Sequence, residues 1–232
     1  MSVHHEIESG LGILRLDSPR RANAYDAADL QAFEAGLEAL LSGGARVIVV
    51  ESSGEGAFCG GADLKGMASP DPLGPLDLAS QRAFERLARA PAVSIAAVQG
   101  PAVAGGCELA LACDLRVVSP RARFALPETA LGLIPAAGGI SRLGALLGTS
   151  IARQVILAGR EIGAEQAVAW GLAIELHDDP RRQARQLARS IQARDPLALR
   201  LAKELIAGPG LQASLLAERL AESVLYGQRG RG

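Results

Sequence analysis

At 232 residues, with 49% hydrophobic and 21% charged side chains, the chain has the bulk for one large core, or for one domain with a small appendage. That composition excludes a disordered chain, a collagen-like repeat and a disulfide-stapled miniature. With 24 basic against 25 acidic residues and only seven aromatics, it offers no global field for nucleic acid or an anionic membrane and little surface for stacking bases or sugars.

In chain order, the alternation Gly12-Ile13-Leu14-Arg15-Leu16-Asp17 predicts a strand, ended by Ser18-Pro19. Asp26 is placed to cap a helix whose Leu30, Phe33, Leu37, Leu40 and Leu41 share one face, and Gly43-Gly44 stops it. Val47-Ile48-Val49-Val50 follows as a buried strand, and Ser52 to Pro75 is a loop rich in glycine and proline. Leu76 to Ala90 reads as an amphipathic helix and Val93 to Val98 as a second buried strand. Gly100-Pro101 breaks that strand before a short apolar helix from Gly105 to Cys113. Leu115 to Val118 is a third strand. After Phe124 the pattern is mostly helical as far as Tyr226, with one short strand near Ala173 to His177. Strands alternating with helices early, then helices, give an α/β body with a helical C-terminal portion.

Cys59, Cys107 and Cys113 lack metal-ligand spacing, and His4, His5 and His177 lie far from them, so the expectation is three reduced, packed thiols and no metal site. The first residues carry no basic-then-apolar leader pattern, and no unbroken apolar run is long enough to span a bilayer. A cytoplasmic setting is expected.

Common catalytic signatures are missing from the sequence: there is no GxSxG elbow, and no Gly-Lys pair for a phosphate loop. Gly10-Leu11-Gly12 lacks a third glycine and precedes its strand, which removes it as a dinucleotide loop. Two isolated acids are more informative. Glu108 is the single charged residue from Pro91 to Cys113, and Glu128 the single one from Phe124 to Ser141. Carboxylates are rarely buried without a partner. Each could be a first-turn acid at a helix N-terminus, worth ~0.3–1 kcal/mol. As a pair they also suit acid–base chemistry, because desolvation lifts a carboxyl towards neutrality. Glycine runs at Gly100 to Gly106 and Phe58 to Lys65 each follow a buried strand. Either alone is an ordinary turn; together, beside the glutamates, they suggest two backbone N–H groups clamping one carbonyl oxygen.

Several segments resemble the enoyl-CoA hydratase/isomerase (crotonase) superfamily. Ile95-Ala96-Ala97-Val98-Gln99-Gly100 through Gly105-Gly106-Cys107-Glu108-Leu109-Ala110 and Cys113-Asp114 is similar to its central signature. Phe124 to Gly139 resembles a second signature, Ala57 to Lys65 the first oxyanion segment, and Pro19 to Ala24 an N-terminal P-x-x-x-N-A motif. The likeness is collinear from about residue 10 to about 177 and looser beyond.

The resemblance implies a crotonase-like spiral of ββα units over residues 1–177 and a helical oligomerisation region over 178–232. It implies a homotrimer or a dimer of trimers, acting on acyl-CoA, with coenzyme A as part of the substrate and no tightly bound cofactor. Nucleic acid and membrane are not expected partners. By the same likeness, the N–H groups of Ala62 and Gly105 form the oxyanion hole, and Glu108 and Glu128 are the two catalytic acids of a hydratase. Arg21, Ala24, Gly60, Asp63, Leu64, Lys65 and Gly106 would bind coenzyme A or substrate, although Arg20 and Arg21 are as readily solvated loop charges. The residues between Met67 and Leu87 are expected to shape the acyl pocket, without revealing a chain-length preference. Relative to the family, the region after Tyr226 reads as shortened, where a helix that helps cover coenzyme A is expected. Competing expectations are another superfamily reaction (double-bond isomerisation, thioester hydrolysis, decarboxylation or carbon–carbon cleavage), a non-catalytic binding homologue, or a glycosidase built on the paired carboxylates.

Overall fold

The protein's structure, a computed structural model, describes residues 2–63, 78–208, 217 and 219–224. Six strands, β1 (Ser2–Glu8), β2 (Leu11–Asp17), β3 (Val47–Ser52), β4 (Val93–Val98), β6 (Leu115–Val118) and β9 (Glu175–Leu176), form one sheet in the order β1-β2-β3-β4-β6-β9. Only β1 is antiparallel to its neighbour. A smaller sheet joins β5 (Pro101–Val103), β7 (Arg123–Ala125) and β8 (Ile162–Gly163) in the order β5-β7-β8. Between them run helices α1 (Ala27–Ser42), α2 (Ala79–Ala88), α3 (Gly105–Ala112), α4 (Gly139–Ala158), α5 (Ala164–Ala169), α6 (Pro180–Gln192) and α7 (Pro196–Ile206). In β4-β5-α3 and again in β6-β7-α4 the chain lays a strand in each sheet and then a helix, which is the expected ββα spiral.

Period-two alternation sorts the central strands between two cores. Leu14, Leu16, Ile48, Val50, Ala96, Val98 and Val118 face one side, with the α1–α3 layer. Leu11, Ile13, Val47, Val49, Ile95, Ala97 and Val117 face the other, where Ala184, Ala188 and Ile191 of α6 cover them. Both faces being apolar explains why β3 and β4 read as unbroken hydrophobic runs. The α1 start is a reciprocal cap, with the Asp29 N–H donating to Asp26 Oδ1 at 3.0 Å and the Asp26 N–H to Asp29 Oδ2 at 2.9 Å. Of its predicted face, Leu30, Phe33, Leu37 and Leu40 are buried and Leu41 is half-buried. α7 is tied back by Lys203 Nζ, which donates to Asp114 Oδ2 at 2.7 Å and to the Ala92 carbonyl at 2.8 Å.

The structure differs from the sequence expectation at four strands. β1 is an edge strand with mostly exposed side chains, so it carries no apolar alternation. β5, β7 and β8 have three, three and two residues, too short for a period to register. The stretch after Phe124 is therefore less helical than expected. The predicted helix from Leu76 is described from Ala79; Leu76 and Asp77 lie outside the described residues.

α3 is secured at its C-terminal end by Arg116. This buried guanidinium donates from Nη1 to the carbonyls of Ala110 (3.1 Å) and Cys113 (2.7 Å), from Nη2 to Asp114 (3.2 Å), and from Nε to Leu172. A cation among the last carbonyls of a helix satisfies acceptors that the helix leaves open and meets its negative dipole end.

Candidate active site

Glu108 and Glu128 come together on one cavity of about 590 Å³ whose wall also includes Tyr25, Gly60, Ala62 and Gly105. Glu108 sits in the first turn of α3 and Glu128 opens a short 3-10 turn, Glu128–Leu131, just after Pro127. Both first-turn expectations are met, and both side chains also line the cavity. Leu131, Leu133 and Ile134 are exposed at this turn, and Leu78 and Val103 continue the apolar wall.

The two glutamates are 4% and 9% exposed. Glu108 Oε1 accepts the Gly139 N–H at 2.9 Å. Burial pushes its carboxyl up to about 7; the N–H groups of Gly139 and Ala137 and the charge of Arg142 oppose that rise, while the neighbouring Glu128 charge adds to it. Burial likewise raises Glu128, whose Oε2 is buried with no hydrogen-bond partner. A buried carboxyl oxygen without a partner keeps an unused acceptor site, which calls for an explanation.

Two segments that carry backbone donors, at Ala62 and Gly105, line the same space. Tyr25 and Ala62 form a parallel bridge in which the Tyr25 N–H donates to the Gly61 carbonyl at 2.9 Å and the Asp63 N–H to the Tyr25 carbonyl at 2.8 Å. This pattern turns the Ala62 N–H away from Tyr25. Gly105 is the first residue of α3, where an N–H has no partner within the helix. The two loops touch: a Cβ on Gly61, at φ +88°, would stand 3.0 Å from the Gly105 nitrogen. Glycine is required at 105 and 106 because a Cβ would strike the Tyr25 phenol oxygen at one and the Cys59 carbonyl at the other. Ala104, the residue that turns the chain into α3, has φ 51° and ψ −126°, a region L-residues avoid. Its N–H donates to the Ala125 carbonyl at 2.9 Å and its carbonyl accepts the Glu108 N–H at 3.0 Å, so both its backbone groups are held.

The other expected binding residues are divided. Gly60 lines the cavity, but Arg21, Ala24, Asp63 and Gly106 do not. Arg21 Nη2 donates to Asp63 Oδ2 at 2.8 Å, so these two lie beside each other at the edge of the Gly60–Asp63 segment. Gly106 serves the approach of Cys59, and Leu64 and Lys65 lie outside the described residues, as do residues 67–77 where the segment expected to shape the acyl pocket begins. The thiols of Cys59, Cys107 and Cys113 are free and buried, with burial pushing Cys59 and Cys113 up to about 12. Among the described residues no group of three or more His, Cys, Asp or Glu is arranged to hold a metal, and no helix is long and apolar enough to cross a membrane.

Three residues contribute in ways the sequence reading did not assign, although Asn23 lies in its Pro19–Ala24 motif and Gly139 ends its Phe124–Gly139 signature. Tyr25 hydrogen-bonds with Ser80 and packs on Gly105. Buried Asn23, at φ 53°, donates from Nδ2 to the Ala57 carbonyl at 2.8 Å and accepts the Ser18 N–H at 2.8 Å, pinning the Pro19–Ala24 loop to the Gly60 segment. Its signal was available, since asparagine tolerates the left-handed region. Gly139, which holds Glu108, belongs to a Gly-Gly pair that could have been read as a third donor site.

Comparison with known proteins bears on the family and the fold. Residues 6–227 match the enoyl-CoA hydratase/isomerase sequence family. The mitochondrial methylglutaconyl-CoA hydratase of Mus musculus is 34% identical over 98% of this chain and 76% of its own length. Among solved structures, the enoyl-CoA hydratase of Bacillus anthracis superposes with a TM-score of 0.88 at 31% identity, covering 96% of this chain and 90% of that one. A Thermobifida fusca structure in complex with CoA gives a TM-score of 0.90 at 28% identity, covering 100% of this chain and 95% of that one.

Proposed function

The chain belongs to the enoyl-CoA hydratase/isomerase family, and on that premise we propose that it adds water, syn, across the double bond of a 2-trans-enoyl-CoA. The observation that carries this reading is the pairing of two buried carboxylates, both with raised proton affinity, on a cavity that Ala62 and Gly105 also line. The thioester carbonyl oxygen would lie between the N–H groups of Ala62 and Gly105. There the negative charge of the enolate would be met by donors already in place, each worth ~2.7–4 kcal/mol in such sites.

Glu108, ionised, takes a proton from water while the water oxygen bonds to C3. The electron pair of the double bond moves onto the thioester as an enolate. Glu128, protonated, then returns a proton to C2 as the carbonyl re-forms. Water is consumed whole, and the proton gained by Glu108 returns to Glu128 through solvent. The Glu128 charge adds to the rise at Glu108, and with one water shared between the two acids the division of roles would belong to the pair as a whole. Coenzyme A enters as part of the substrate, and the CoA-bound relative supports that class of ligand. Assembly as a homotrimer or a dimer of trimers belongs to the same reading, supported by exposed Ile140, Leu146 and Leu157 on α4.

The test is the loss of enoyl-thioester ultraviolet absorbance when the protein meets crotonyl-CoA. Glu108→Gln and Glu128→Gln should each lower kcat by at least about a hundredfold while crotonyl-CoA still binds. Full activity in both variants would overturn the hydratase reading, and no absorbance change with the wild type would point to another reaction of the family.

A further inference from the structure

The turn that reaches Glu108 is held from its outer side by α2 and α4. Gln81 of α2 donates from Nε2 to the Ala136 carbonyl at 2.8 Å. Arg142, in the first turns of α4, donates from Nη1 to the Ala137 carbonyl at 2.8 Å and from Nη2 to Glu85 Oε2 of α2 at 2.7 Å. The fit is close: a Cβ on Gly138, at φ +104°, would collide with the Arg142 guanidinium. On the inner side of the same turn, the Gly139 N–H donates to Glu108 Oε1. Carbonyls pinned outside and an N–H offered inside belong to one four-residue turn.

We propose that Arg142, anchored by Glu85, is a positioning residue for the reaction: it fixes the Ala136–Gly139 turn and, through the Gly139 N–H, the orientation of the Glu108 carboxylate. The role rests on the hydratase reading only in that Glu108 must carry chemistry. Arg142 pairs with Glu85 and reaches the site through the peptide, so it acts on the reaction without touching substrate. A planar fork bonded to two acceptors in different elements cannot be copied by a lysine, whose single ammonium lacks that geometry. The Arg142 side chain is 17% exposed while its Glu85 partner is 44% exposed, so the pair is open to solvent on the Glu85 side. Its positive charge also favours the ionised form of Glu108. The other groups acting on that carboxylate are Glu128 from the 3-10 turn, Tyr25 from the loop before α1, Cys107 beside it on α3, and the N–H groups of Ala137 and Gly139.

Arg142→Met, Arg142→Lys and Glu85→Gln separate position from charge. With crotonyl-CoA, Arg142→Met is expected to lose about ten- to hundredfold in kcat, as small misplacements do, with KM within about twofold of wild type. Glu85→Gln should show the same split to a smaller degree. The carbon-13 signal of the Glu108 carboxyl, followed against pH in the unliganded protein, should move its midpoint upward by about half a unit or more in Arg142→Met. Arg142→Lys should hold that midpoint near wild type and still lose kcat. Wild-type kcat in both Arg142→Met and Glu85→Gln, with an unmoved midpoint, would overturn the proposal, as would a loss confined to KM. If Arg142→Met fails to fold, Glu85→Gln decides by the same two readouts. A wild type that hydrates no enoyl-CoA would overturn the functional reading, while the carboxyl titration would still decide the positioning role.

Discussion

Glu108 carries a thermodynamic cost that follows directly from its burial. Its carboxyl titrates near 4.5 when unfolded and near about 7 in the fold. Between those values the folded state keeps a proton that the unfolded state has released, so stability falls as pH rises through this window. Above pH 7 the penalty approaches about 3 kcal/mol, from 1.36 kcal/mol per unit. Glu128, raised by the same cause, adds in the same direction. Glu108→Gln removes the charge and still offers an oxygen to the Gly139 N–H. This variant is expected to match wild type near pH 4 and to exceed it in stability at pH 8, read as the urea midpoint at each pH. A variant less stable than wild type at pH 8 would show that the carboxylate is not held at a cost.

At the scale of an element, α3 is clamped at both ends. Arg116 collects its C-terminal carbonyls, while Tyr25 and the Cys59 carbonyl lie against Gly105 and Gly106 at its start. In an exposed helix, Gly→Ala is stabilising by ~1 kcal/mol. Here Gly105→Ala should instead destabilise by about 1–3 kcal/mol, the usual cost of overpacking. Adding Tyr25→Phe removes the atom struck first, but ring carbon Cζ stays 2.9 Å from the new Cβ, so recovery should be partial. Thermal unfolding of the single and double variants checks this; additive losses would mean that the phenol is not the obstacle.

The same helix marks where sequence reading reaches its end. Glu108 and Glu128 stood out because a carboxylate within an apolar segment is a local anomaly. Glycine runs stood out because backbone approach leaves a local mark. Tyr25 left none, since its contact with Gly105 exists only once the α1 entry and the β5–α3 junction have been brought together. Arg142 left none either, because its acceptors, Glu85 and the Ala137 carbonyl, are assigned by tertiary packing. β3 and β4 were visible as apolar runs, but the second sheet, made of strands of two or three residues, had no period to detect.

For the whole molecule, most strand pairing is parallel and therefore non-local, with β6 and β9 joined across a long excursion through α4 and α5. Ala104 shows what this means for the order in which function is acquired. Its dihedral angles are unfavourable by about 1–3 kcal/mol in an isolated chain. They persist because Ala125, in β7 of the second sheet, takes the Ala104 N–H, and because α3 takes its carbonyl. A partly folded chain with the large sheet formed and the small one open lacks that restraint, and the Gly105 N–H then has no fixed aim. Activity during refolding is therefore expected to return after the far-ultraviolet signal of the helices and large sheet, never ahead of it. Simultaneous recovery in every probe would mean that the two sheets form in one step. On that expectation, the little three-stranded sheet decides when the Gly105 N–H acquires its aim: a nascent chain in which it is still open would lack that donor.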